Sequence, residues 1–131
     1  MLKKIRPGEQ QLPVQGKQDV SHAAQTFIRS MVPFAADYAT AELICTDLES
    51  RVADYGVAAY GYRLASHNGR DMLRDADEEI LDAVNFMQGD LIEHPLDGDS
   101  LAIYWAIIDV AFRIKHLQAK RKADAAAAHP D

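Results

Sequence analysis

At 131 residues, with 48% apolar and 26% charged residues, the chain is long enough for one domain with its own core. Its formal net charge is −6, and residues 19–112 hold seventeen acids against five bases, a body that repels a phosphate backbone and argues against duplex binding. Cys45 is the only cysteine, which excludes an internal disulfide and a cysteine metal framework and suits a reducing, cytoplasmic setting.

Residues 1–18 contain Pro7, Gly8, Pro13 and Gly16 with no apolar period, and predict a flexible N-terminal arm. It is basic but has no apolar core of a leader peptide, and the longest apolar run, Leu101 to Ile108, is far short of a membrane span. Asp19 or Ser21 is placed to cap a short helix running to about Met31, with Ala24, Phe27, Ile28 and Met31 on one side. Pro33 separates it from the next element.

Phe34, Tyr38, Ala41, Cys45, Leu48, Val52 and Tyr55 then recur in steps of four and three, the seam of a bundle helix ending at Gly56. Glu42 and Glu49 fall beside this seam, and Asp47 and Asp54 nearly opposite it. Val57 to His67 reads equally as a short helix or a loop. The next helix is capped by Asn68, bears Leu73, Ala76, Ile80, Val84, Met87 and Leu91 as its apolar stripe, and ends at Gly89 or Pro95. Between Asp71 and Asp99 stand ten acids and one base, Arg74. Asp99 or Ser100 caps a last helix that is apolar almost all round from Leu101 to Phe112, a pattern that fits a central bundle helix or a subunit interface. Asp109 is the one charge in that run and calls for a partner. The helix frays through Lys115, Lys120, Arg121 and Lys122 into an alanine-rich, disordered tail at 123–131. The expected fold is all-α, a bundle of three longer helices and one short one in a single domain at 19–122. It is expected to be oligomeric, most simply a homodimer, because the last helix is too apolar for a small monomer to cover.

Acids on facing helices are how bundles build metal sites, and Mg²⁺ takes carboxylates together with substrate phosphates. Glu79 and Asp82 are spaced i, i+3, and Asp75 and Glu79 i, i+4, so each pair shares a helical turn. With Glu42 and Glu49 from the preceding helix they form a candidate metal set, and Arg63 and Arg70 are candidate phosphate ligands. The same acids also fit a solvated or partner-binding helix face.

The segment DEEILDAVNFM, Asp77 to Met87, resembles the second acidic motif of MazG-like all-α nucleoside triphosphate pyrophosphohydrolases, Glu79 and Asp82 matching its Glu-x-x-Asp pair. The longer string from Tyr60 to Asp82, through Asn68, Gly69, Arg70, Asp71 and Asp75, is also similar to small helical proteins of bacteriophage type. The first resemblance implies Mg²⁺ held against a nucleotide by Glu79 and Asp82, helped by Glu49 and by Asp75 or Glu42. Glu49 or Glu79 would then orient the attacking water. The family's upstream Glu-Glu-x-x-Glu is absent; AELICTDLESR has Thr46 one turn after Glu42 and Glu49 a turn later. Two functions therefore stand side by side: a metal-dependent nucleotide pyrophosphohydrolase or nucleotide-binding relative, and a non-enzymatic helical interaction protein of phage accessory type that binds a host protein or a small nucleotide.

Overall fold

The computed structural model describes residues 10, 16, 18–31, 38–57, 63 and 65–129, without the side chain of Tyr55. The start of the expected seam at Phe34, both tyrosines of the ambiguous segment, residues 1–9, 11–15 and 17 of the expected arm, and residues 130–131 of the expected tail lie outside them. The described residues form four helices and no strand: α1 (Val20–Met31), α2 (Tyr38–Ser50), α3 (Met72–Glu93) and α4 (Gly98–Ala128). The chain divides into two compact units, Met1–Arg70 and Asp71–Asp131, where the sequence suggested one helical domain.

In the first unit α1 packs on α2. Asp19 caps α1, its Oδ1 accepting from the His22 amide at 3.0 Å. The inward face of α1 is Ser21, Ala24, Gln25 and Ile28, with Ser21 and Gln25 buried. Phe27 and Met31, which the sequence sets on one side of the helix with Ala24 and Ile28, are exposed. Ala41 and Cys45 are the buried apolar residues of α2, and the Cys45 thiol lies 3.7 Å from the Gln25 carbonyl. Small side chains on both helices let the backbones approach closely. Beyond Ser50 the helix widens into a π-helical turn, Arg51–Gly56. Gly56 does not terminate it in the left-handed conformation: Val57 stays right-handed, its amide bonded to the Val52 carbonyl.

The segment before α1 is partly docked. The Ser66 amide donates to the Gln18 carbonyl at 2.7 Å, and Asp19 and Ala65 form an isolated antiparallel bridge. Gly16 lies so near this segment that a Cβ there would collide with the Ser66 carbonyl oxygen. The following turn uses left-handed backbone at His67 (φ 56°) and Gly69 (φ 83°). Asn68, at 1% exposure, folds back so that Oδ1 accepts from the Arg70 amide at 3.1 Å, an Asx turn rather than the expected helix cap.

The second unit is an antiparallel helical hairpin. Three cross-helix bonds fix its register: Asp90 accepts from the Ser100 hydroxyl, Gln88 from the Tyr104 hydroxyl at 3.1 Å, and Asp77 from Lys115 at 2.7 Å. Residue numbers fall along α3 as they rise along α4, as antiparallel packing requires. Asp71 caps α3 by accepting from the Arg74 amide, and Asp97 caps α4 by accepting from the amides of Asp99 and Ser100. Both caps sit away from the sequence-expected ones because an aspartate immediately before the first turn reaches the free amides best. Helix α3 runs through Gly89 to Glu93, stopping before Pro95. Helix α4 continues to Ala128, well into the expected tail, because alanine has the highest helix propensity. No helix of the described residues is long and apolar enough to cross a membrane.

Candidate functional site

Among the described residues the densest polar cluster belongs to the first unit and centres on Arg63. Its Nε donates to Asp19 Oδ2 at 2.6 Å. The two terminal nitrogens fork onto Glu49, at 2.7 Å to Oε1 and 2.9 Å to Oε2. Gln25 Nε2 adds a further bond to Glu49 Oε2 at 3.0 Å, and His22 Nε2 stands 3.1 Å from Arg63 and 3.5 Å from Glu49. The guanidinium, followed by the Gln25 amide, holds the Glu49 carboxyl down at about 2. The Arg63 hydrogen bond also lowers Asp19 from its ordinary range. Arg63 is raised in turn, chiefly by Glu49. Chemically the cluster is a clamp, joining residue 63 to both α1 and α2 through charge-assisted bonds.

Arg63, expected to meet a phosphate, is therefore engaged by two carboxylates. Glu42, expected at a metal, takes a bidentate pair from Arg29 at 2.9 and 3.1 Å, which lowers its own pKa. Arg70 uses its backbone amide in the Asx turn. Asp75, Glu79 and Asp82 lie on α3, with Glu79 and Asp82 exposed. Among the described residues no group of three or more His, Cys, Asp or Glu is disposed to hold a metal ion. Glu42 and Glu49, whose oxygens already receive guanidinium donors, do not fit an Mg²⁺ donor set as they stand.

Two features of the hairpin were only partly legible in the sequence. Asp77, one of the ten acids between Asp71 and Asp99, is only 7% exposed, with Oδ2 on Lys115 and Oδ1 buried without a partner. A position four before Leu81 and three before Ile80 gave the signal, since it lies on the stripe between Leu73 and Ile80. Asp109, whose need for a partner was legible, pairs with Arg113 one turn on at 2.8 Å and remains exposed.

The second feature is what the hairpin leaves uncovered. Its buried residues are Asp77 and Ser100, both polar. Leu81, Ile92, Leu101, Trp105 and Phe112 are all exposed, Trp105 at 65% and Phe112 at 64%. At about 100° per residue, Leu101, Trp105 and Phe112 fall within roughly 40° of one another on α4. Leu81 and Ile92 project to the same side of α3 in the antiparallel register. They form one apolar flank along the hairpin, while Phe86, Ile103 and Val110 are exposed elsewhere on it. The all-round apolarity of Leu101–Phe112 made a partner-facing helix legible; which flank stays open follows from the cross-helix register.

Comparison with protein-family models, with curated proteins and with solved structures finds no match to this chain.

Proposed function

We propose that this chain is a non-catalytic helical interaction protein whose working surface is the apolar flank of the α3–α4 hairpin. The observation that carries the reading is that the hairpin completely buries none of its large apolar side chains while exposing Leu81, Ile92, Leu101, Trp105 and Phe112 together. Contiguous exposed apolar surface rimmed by polar residues marks a binding site, since it is unfavourable to leave in water. On this reading the Arg63 clamp is structural and holds the first unit together. A homodimer, expected from the sequence, is one way the flank is used.

The competing reading is Mg²⁺-dependent nucleotide hydrolysis by Glu79 and Asp82, and one pair of measurements separates the two. An apolar fluorescent dye should bind the chain and lose its signal in Trp105→Ser/Phe112→Ser. Mg²⁺ with nucleoside triphosphates should shift the melting temperature no more than a monovalent salt of matched ionic strength. Unchanged dye binding would defeat the flank reading. A Mg²⁺-specific shift with pyrophosphate release, both lost in Glu79→Gln/Asp82→Asn, would restore the hydrolase.

A further inference from the structure

We propose that the open flank receives a second copy of this chain, running antiparallel along α4. This rests on the interaction-surface reading and names the occupant. On α4 the exposed row does not stop at Phe112. Leu101, Trp105, Ile108 and Phe112 make its first half, and His116, Ala119, Ala123 and Ala126 continue it in steps of three and four. At 100° per residue the whole row stays within a sector of about 80°. Ile108 is half-buried and the other members are exposed. The bond from Lys115 to Asp77 sets the start of α3 about level with Lys120, so residues 121–128 of α4 run on with no α3 beside them.

Size and charge both commit this row to a copy of itself. Its first half is large and its second half small, and large facing small is how packed layers interdigitate. An antiparallel copy sets Leu101 against Ala126, Trp105 against Ala123, Ile108 against Ala119 and Phe112 against His116. One two-fold axis, about level with Ile114, satisfies all four pairings at once, as a self-complementary interface requires. Asp109 and Lys120 lie on the same side of the row, about 65° and 85° round α4 from its centre, where side chains border a helix–helix seam. The same axis brings Lys120 of the second copy to within roughly 2 Å of Asp109 along the helix direction, twice per dimer. Lys120 is exposed, and no described residue of its own chain pairs with it. The cations nearest the axis, Arg113 and Lys115, are already held by Asp109 and Asp77 of their own chain. On the opposite side of α4, Asp99 and Arg121 fall in line with Ile103 and Val110 and interrupt the apolar row there.

Sedimentation of the full chain reads the dimer, and charge exchange reads its register. The chain should form a reversible dimer at micromolar concentration and dissociate on dilution to a monomer whose open flank takes the apolar dye. Trp105→Ser/Phe112→Ser should be monomeric. Asp109→Lys and Lys120→Asp each set like charges together twice per dimer and should weaken it roughly tenfold, the scale of two exposed ion pairs reversed. An equal mixture of those two variants should restore the dimer, because each chain then offers the charge that the other lacks. A loss of helix stability in either variant would not be rescued by mixing. A dimer indifferent to both exchanges, or a weakening that mixing does not restore, would overturn the antiparallel pairing. So would a dimer that survives Trp105→Ser/Phe112→Ser. A monomer at every concentration that still takes the dye would overturn the second copy and leave the interaction surface standing. Dye binding indifferent to Trp105→Ser/Phe112→Ser would remove the interaction-surface reading as well.

Discussion

Replacing Lys115 by methionine should destabilise the hairpin far more than replacing its partner Asp77 by alanine. The Asp77 side chain is 11% exposed and Lys115 54% exposed, with 2.7 Å between the charged atoms. Removing the lysine leaves a buried carboxylate with no counter-charge and with Oδ1 already unpartnered. Breaking a buried pair in this way costs about 3–5 kcal/mol, and the half-exposed lysine reduces that to about 2 kcal/mol. Asp77→Ala instead removes the desolvated carboxylate along with its orphaned oxygen, and gains about 0.5 kcal/mol of helix propensity. Its net change should lie within about 1 kcal/mol of zero, and Lys115→Met on top of it should add little. Urea unfolding followed by Trp105 fluorescence reads the hairpin specifically, because the first unit has no tryptophan. Equal losses in the two single variants, or losses that add in the double, would refute an asymmetric buried pair.

The Glu49 carboxyl should titrate near 2 rather than 4.5 in carboxyl-carbon NMR; a folded value depressed below the unfolded one means that its contribution to stability is complete above about 4.5 and lost as pH falls towards 2. Gln25→Ala should move that midpoint part of the way back up, and an unchanged midpoint would show that the Gln25 amide is not bound there. Gly16→Ala should destabilise the first unit by about 1–3 kcal/mol, the usual cost of forcing atoms into a packed contact, in thermal melts of the full chain. Ala126→Pro should remove helical signal in far-UV circular dichroism while leaving Trp105 emission of the dilute, monomeric chain unchanged, because the end of α4 is helical and distant along the chain from Trp105.

Much of the secondary structure was legible because local physics sets it. The steps of four and three through Ala41, Cys45 and Leu48 produce α2, and the stripe from Leu73 to Leu91 produces α3. The acid before each first turn made capping legible in kind, although the position moved by a few residues from Asn68 to Asp71 and from Asp99 to Asp97. Alanine propensity at 123–128 was present in the sequence and outweighed by the expectation that tails fray.

Partner choice among charges was not legible, because it depends on distances between residues far apart in sequence. Glu42 and Glu49 stood beside the seam as candidate cation ligands, and only tertiary structure brought Arg29 and Arg63 onto them. Asp77 and Lys115 are thirty-eight residues apart, and nothing in the sequence near either one marks the other. The division after Arg70 is of the same kind, since it depends on which helices pack together. The sequence thus determines where helices form and that α4 carries apolar residues on every side, both being sums over near neighbours. The fold alone decides which carboxylates are neutralised and which apolar flank remains open, because burial and ion pairing are properties of surfaces brought together across the chain.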